Sequence, residues 1–182
     1  MKNLARILFI LFSFIFIFYL LLPNPDFPDP PADALQSNEP GDTESDLRRA
    51  YFTNYTREEV MEHYKNQFEE PLFLGIFIPS YRLNYPPEEA QTIIRDQTRS
   101  TFLEEIVHPF RESVFINGFE PTAKKDAILI GDKEWLQKIT VRFIPSSKLP
   151  RVLVATATLL LIVMIEREWV SALSDLFLKR KK

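Results

Sequence analysis

The chain has 182 residues, 46% of them hydrophobic, with a formal net charge of −3, two histidines and no cysteine. The lack of cysteine excludes disulfides, thiolate catalysis and Cys-ligated zinc. Phosphate binding needs a concentrated basic surface, so the scattered Lys and Arg residues argue against nucleic acid as a partner. We expect no cofactor, and we divide the chain into segments 1–22, 23–48, 49–147, 148–168 and 169–182.

Segment 1–22 is predicted to be an N-terminal transmembrane anchor. Residues 7–22 carry no charge, include five Phe, follow Arg6 and end at Pro23. As a helix with a rise of about 1.5 Å per residue, the run and its flanks approach the ~30 Å hydrocarbon thickness. A cleaved signal peptide is the alternative. We favour the anchor because the only small-x-small site lies well downstream, at 32–34, among prolines.

Segment 23–48 is predicted to be a linker that is rich in proline and acidic residues. Proline fixes φ and removes a backbone donor, which favours an extended, polyproline-like spacer. Residues 50–55 are rich in aromatic and β-branched types and predict a strand. Thr56 and Glu59 have the spacing of a capping box. Val60, Tyr64 and Phe68 then form the apolar stripe of a helix that ends before Pro71.

The middle of segment 49–147 is less regular. Residues 72–83 predict a strand buried on both faces and interrupted at Pro79; an apolar loop that meets the bilayer or a partner is the alternative. Residues 86–89 combine prolines and acids, which favours a helix start, and we expect this helix to run to about Val107, before Pro109. Asn117 and Gly118 predict a turn or a helix end.

Two β-rich runs close this segment, 127–130 and 136–144, around a turn at 131–134. Ile139, Val141 and Phe143 alternate with polar residues, as in a strand with one covered face. The predicted fold class is α+β: a small, mainly antiparallel sheet with helices on one face, flanked by N- and C-terminal transmembrane helices. A ferredoxin-like layout is a candidate.

Segment 148–168 is predicted to be a second transmembrane helix, with a re-entrant helix as the alternative, because only 152–165 is free of charge. Segment 169–182 suits an amphipathic helix with a basic tail on an anionic leaflet. Basic residues at both ends of the chain place both termini in the cytoplasm and residues 23–149 outside it. Lys148 and Arg151 argue mildly for the opposite orientation.

Two histidines limit any His-based site. If residues 104–108 are helical, Glu104, Glu105 and His108 share one face, as metal ligands do. His63 on the preceding helix would complete a metal site if the two helices faced each other. A surface salt bridge is the simpler interpretation of Glu104, Glu105 and His108, and we prefer it.

Residues 82–87, 94–100 and 108–113 mix Arg, Tyr, Asn and Gln with prolines, as binding surfaces often do. Stretches of this kind, 82–121 in particular, resemble those of small uncharacterised bacterial membrane proteins that carry an extracytoplasmic domain between two terminal transmembrane segments. The resemblance implies a bacterial inner membrane and brings no catalytic motif. The candidate partner-binding residues are Arg82, Tyr85, Arg95, Arg99 and Arg111.

These observations favour a membrane-anchored, extracytoplasmic protein-interaction module without catalytic activity, such as an accessory subunit of an envelope complex. Its partners would be the lipid bilayer and either another protein or further copies of this chain. The alternative is a membrane-bound hydrolase or metal-dependent enzyme that uses His63, His108 and the neighbouring carboxylates. A third interpretation, a lipid or cell-wall contact domain, requires residues 72–78 to be exposed.

Overall fold

The computed structural model of the chain describes residues 2–69, 71, 74–75, 77–89 and 99–179. The chain divides into two compact units. One unit, the sheet domain, comprises residues 23–146, and the other combines residues 1–22 with residues 147–182.

The described residues form three α-helices: α1 (Lys2–Leu21), α2 (Arg57–Phe68) and α3 (Lys148–Lys179). They also form eight β-strands: β1 (Leu35–Gln36), β2 (Arg48–Thr53), β3 (Tyr81–Tyr85), β4 (Phe102–Val107), β5 (Ser113–Phe119), β6 (Ile128–Ile130), β7 (Lys133–Trp135) and β8 (Gln137–Ile144). Short 3₁₀ helices lie at Pro40–Asp42, Pro87–Glu89 and Lys124–Asp126.

Six of the strands form one antiparallel sheet in the order β1-β2-β8-β5-β4-β3, and β6 and β7 form a separate hairpin. The predicted α+β class with a mainly antiparallel sheet is therefore confirmed, and a ferredoxin-like layout is not. Strand β8 lies near the centre, between β2 and β5. Its side chains Ile139, Val141 and Phe143 are buried in the core, as their alternation predicts.

Helix α2 packs on one face of this sheet. Its N-terminus has the predicted capping box: the Thr56 hydroxyl accepts from the Glu59 N–H, and the Glu59 carboxylate accepts from the Thr56 N–H at 2.7 Å. The stripe of Val60, Tyr64 and Phe68 is buried in one cluster with strand residues, which confirms the predicted core face. Most of the stability of such a helix comes from this packing.

The helix predicted for 86–107 is wrong at its C-terminal end, because residues 102–107 form β4. Phe102, Glu104 and Ile106 point to the same face of this strand. Glu104 and Ile106 lie opposite Ile116 and Val114 of β5, which are buried in the core. The adjacent acids at 104 and 105 hid this alternation, since a buried carboxylate is not expected without partners. The rest of that prediction includes residues 90–98, which lie outside the described residues.

The prediction that 72–83 forms a strand buried on both faces is also wrong for the described residues, except that residues 81–83 belong to a strand. Leu74 and Gly75 form a turn, Phe77 is 60% exposed, and β3 begins at Tyr81 on the edge of the sheet. Glycine at 75 has a φ of 71°, which explains why the apolar run turns here. Residues 72, 73 and 76 lie outside the described residues.

Asn117 and Gly118 lie inside β5, so the turn predicted for them is wrong as well. A Cβ atom on Gly118 would lie 1.9 Å from a ring carbon of Phe102 on the neighbouring strand. The close packing of an aromatic ring requires glycine here. Because that ring belongs to another strand, the residues next to Gly118 in the sequence do not indicate the requirement.

Residues 23–48, predicted to be an extended spacer, belong to the same compact unit as the sheet. Phe27 and Ala34 pack against the core, and β1 pairs with β2. The Asp42 carboxylate is buried, accepts a hydrogen bond from Ser37 at 2.6 Å and pairs with Lys138 at 2.7 Å. This proline-rich chain therefore lies against the domain in an extended form.

The second unit contains two helices that are long and apolar enough to cross a membrane, over Asn3–Leu21 and Lys148–Leu173. Only 6% and 11% of these spans are buried in the protein, unlike a core helix. The guanidinium of Arg151 donates to the Leu22 carbonyl at 2.7 Å. The last carbonyls of a helix lack partners, so Arg151 satisfies one at the end of α1. Helix α3 continues unbroken to Lys179, through the predicted boundary at 168–169.

Candidate functional site

Two groups of charged side chains contain four of the nine candidate residues singled out in the sequence, Arg82, Glu104, His108 and Arg111. The edge cluster lies between α2 and the last two strands of the sheet, and the exit cluster lies at the turn between β4 and β5. The edge cluster comprises Arg57, Glu58, Arg82 and Glu104, and the exit cluster comprises His108, Arg111 and Glu112.

Glu104 is the centre of the edge cluster, and its side chain is fully buried. Its Oε1 accepts from Arg57 Nε at 2.5 Å and from Arg82 Nη2 at 2.8 Å, and Arg82 Nε bonds its other oxygen. Arg82 also donates twice to Glu58 of α2, at 2.7 and 3.0 Å. Because both arginines remain about one-third exposed, the cluster neutralises Glu104 without enclosing its cations.

Electrostatics in the edge cluster favour the ionised forms of Arg82 and Glu58. The hydrogen bonds that Arg82 donates to Glu58 and then to Glu104 raise the pKa of Arg82. The hydrogen bond from Arg82 lowers the pKa of Glu58. These fixed ion pairs connect α2 to the edge strand, a role that fits neither a nucleophile nor a proton donor.

Tyr85 and Glu105 lie on the opposite face of the sheet from Glu104, because successive residues of a strand point to opposite faces. The Tyr85 hydroxyl donates to Glu105 at 2.5 Å. This hydrogen bond is the largest cause that raises the pKa of Tyr85, to about 12. The Tyr85 ring also lies 6.1 Å from that of Phe115.

The exit cluster is fully buried. The ionised Glu112 carboxylate accepts from Arg111 Nη2 at 2.8 Å and from His108 Nδ1 at 3.0 Å. Arg111 Nη2 also donates to the carbonyl of Pro23 at 2.7 Å. The His108 ring stacks on Phe68 at a centroid distance of 4.3 Å. Burial raises the pKa of Glu112, but hydrogen bonds from His108 and Arg111 outweigh it, so the pKa is lowered.

The exit cluster marks the place where the chain enters and leaves the sheet domain. Pro23 is the first residue of the domain, and Ser146 is the last. The Asn24 side-chain amide donates to the Ser146 carbonyl at 2.9 Å. Arg111 and Asn24 therefore hold the two ends of the domain next to each other.

The four residues of the predicted metal site do not form one site. Among the described residues, no group of three or more His, Asp or Glu side chains is placed to hold a metal ion. The helical spacing proposed for Glu104, Glu105 and His108 fails because Glu104 and Glu105 lie inside strand β4 and His108 directly follows it. His63 Nε2 lies 2.9 Å from the Asp29 carbonyl oxygen.

The predicted partner-binding arginines occupy different environments. Arg111 is fully buried, so its side chain contributes to the fold. Arg99 is 68% exposed and pairs with Asp126 at 3.0 Å. Arg95 lies outside the described residues.

Strand β3 forms one edge of the sheet in the part of the chain that the structure describes. It pairs with β4 on one side and is the last strand in the sheet order of the described residues. Tyr81 and Leu83 are 57% and 42% exposed on the face opposite α2. An exposed edge with apolar side chains is a template for strand addition.

Sequence reasoning missed Glu112 and the Pro23 carbonyl. The signal for Glu112 was present, because His108, Arg111 and Glu112 fall close together around Pro109. The contact of Arg111 with Pro23 joins residues 88 positions apart, so a local sequence pattern cannot predict it.

No protein-family model matches the sequence, and searches of curated proteins and of solved structures find no match either.

Proposed function

We propose that this protein is a double-pass membrane protein whose sheet domain binds a partner protein on the outer side of the membrane. The observation that carries the proposal is the adjacency of Pro23 and Ser146, held by Arg111 and Asn24. Each of these residues continues directly into one of the two apolar helices. Both helices are thus connected to the domain at neighbouring residues.

This adjacency supports a topology in which both termini lie on the same side. Two spans that leave one end of a domain enter the bilayer from the same face, so their far ends share the other face. The basic residues at both extremities favour the cytoplasm for those ends. Arg151, whose charge alone favours the opposite orientation, caps α1 through the Leu22 carbonyl, so its position has a structural reason.

The edge strand β3 supports the binding role. Natural proteins usually protect a sheet edge with charge, proline or a covering element. Here Tyr81 and Leu83 extend the apolar face of an edge with which no other described strand pairs, and the edge cluster connects the strand to α2 through Arg82 and Glu104. A rigid, apolar edge suits a partner that adds a β-strand, which joins through main-chain hydrogen bonds. We assign the location to a bacterial inner membrane by resemblance.

The test is cross-linking of the full chain in membranes with Leu83→Lys. A lysine on the edge opposes strand addition, so we expect the cross-linked partner to be lost or strongly reduced. Leu129→Lys is the matched control, since Leu129 is 65% exposed on β6. It should leave the cross-link unchanged.

Two outcomes would contradict the proposal: no cross-linked species for the native chain, or equal yields from Leu83→Lys and the native chain. If mass spectrometry finds only this chain in the product, the partner is a second copy. If it finds another protein, the envelope-complex hypothesis gains a named subunit.

A further inference from the structure

We infer that the end of the sheet domain at Pro23 and Ser146 inserts apolar side chains into the surface of the lipid bilayer. This inference rests on the proposed membrane anchoring. The inserted residues are Leu74 and Phe77, in the connection between α2 and β3, and Phe110, in the turn between β4 and β5. All three share exposure and position, and Leu74 and Phe110 also share an unusual backbone geometry.

Exposure is the first feature. Leu74 is 82% exposed, Phe110 is 76% exposed and Phe77 is 60% exposed. Leu74 and Phe110 have the highest exposures of all large apolar residues recorded for the described chain, above those of the two apolar helices. In water such side chains lose the stabilisation that burial provides.

Backbone geometry is the second feature. Leu74 and Phe110 have φ angles of 51° and 61°, and among the described residues they are the non-glycine residues with positive φ. A bulky residue in this region is an outlier, and glycine is the residue expected there. The fold thus holds two large apolar side chains outward on strained backbone. Strain of this kind is concentrated at functional sites.

Position is the third feature. Phe110 precedes Arg111, whose guanidinium bonds the Pro23 carbonyl. Strand β3 starts opposite Val107, and Phe68 of α2 stacks on His108, so the connection that carries Leu74 and Phe77 lies at this end as well. Pro23 and Ser146 are covalently joined to the apolar spans. Of the surfaces available, lipid is the one that this end of the domain must approach.

Contact with a lipid surface would stabilise all three side chains. Aromatic side chains prefer the interfacial layer of a bilayer, and apolar side chains gain from entering the acyl boundary. A domain seated on three such residues has a fixed orientation on the membrane, with the β6–β7 hairpin at its opposite end. That hairpin follows the end of β5 that is remote from Ser113 and Ile144.

The experiment uses the lack of cysteine in the chain. Single variants Phe110→Cys, Phe77→Cys, Leu129→Cys and Val154→Cys of the full chain carry a nitroxide label and are reconstituted in phosphatidylcholine–phosphatidylglycerol vesicles. Val154 lies in the second apolar span and reports lipid. Leu129 is comparably exposed at the opposite end and reports water. Power saturation with oxygen and with a nickel chelate gives the depth of each label.

We expect the depths of the labels at 110 and 77 to be closer to the depth at 154 than to that at 129. Their collision rates with the nickel chelate should be reduced and those with oxygen increased. Values at 110 and 77 equal to that at 129, with 154 in lipid, would overturn the inference and leave the anchoring intact. Protection of 110 and 77 from both reagents would also overturn it, because a protein then covers them. A water-like value at 154 would contradict the anchoring itself. Two separate loop positions guard against misfolding of one variant.

Discussion

The edge cluster and the exit cluster use the same residue types for different purposes. Each centres on one fully buried glutamate with arginine partners. In the edge cluster the arginines keep about one-third of their side chains in water. In the exit cluster Arg111 is as buried as Glu112.

This difference indicates that the number of ion pairs in a cluster does not determine how much the cluster contributes to stability. A cation with access to water can be solvated again when its partner is removed, so the loss is limited. When both members of an ion pair are buried, removal of one leaves the other with an uncompensated charge that water cannot reach. The exit cluster should therefore dominate stability, and the following predictions test this ranking.

The largest effect is expected for Arg111→Ala. This change leaves the buried Glu112 without its arginine partner and removes a donor to the Pro23 carbonyl, and we expect a loss of about 3–5 kcal/mol in the free energy of unfolding. Chemical denaturation of the full chain in detergent, followed by circular dichroism, measures it. A loss below that of the edge-cluster variant would reverse the comparison.

A smaller loss is expected for Glu104→Gln. The change removes the charge that holds Arg57 and Arg82, yet both guanidinium groups can turn to solvent, so we expect a loss of about 2 kcal/mol. The same denaturation assay applies. Glu58→Gln serves as a control, because Glu58 is 72% exposed and should change stability much less.

The pH dependence of stability separates the clusters further. The pKa of Glu112 is lowered from its usual value of 4.5, so its ionised form stabilises the fold above the unfolded-state pKa, and this contribution is lost as the pH falls through the lowered folded-state pKa. We expect Glu112→Gln to be less stable than the native chain at pH 7 and to lose less on acidification. The prediction would be contradicted if the stabilities of Glu112→Gln and the native chain fell in parallel on acidification and the difference between them stayed constant.

The smallest effect is expected for Arg99→Ala. Arg99 is 68% exposed in its pair with Asp126, and exposed pairs contribute about 0–1 kcal/mol. Stability should change by less than in any variant above. The reference is Lys65→Ala, which removes a similarly exposed cation from a pair at 3.9 Å.

The elements that could be predicted from the sequence are those fixed by local rules. The capping box at Thr56, the stripe of Val60, Tyr64 and Phe68 and the alternation in β8 were all recognised because spacing alone defines them. The two terminal apolar helices were found for the same reason. Each of these signals lies within a few turns of one element.

The elements that could not be predicted depend on distant partners. Residues 102–107 form a strand because β5 and β3 pair with it, and Glu104 is tolerated in its interior because Arg57 and Arg82 reach it from elsewhere in the sequence. The exit cluster was missed because its anchor is the Pro23 carbonyl. Burial of a charge is decided by tertiary neighbours, which local patterns do not record.

The most direct test of the account is the sidedness of the chain in living bacteria. Three single-cysteine variants of the full chain, Lys2→Cys, Leu129→Cys and Lys179→Cys, are exposed to a membrane-impermeant maleimide before and after permeabilisation. We predict that only the cysteine at 129 is labelled in spheroplasts and that those at 2 and 179 react only after lysis. Labelling of either terminal cysteine in intact spheroplasts, or protection of the cysteine at 129, would contradict a domain held outside the membrane by two adjacent spans.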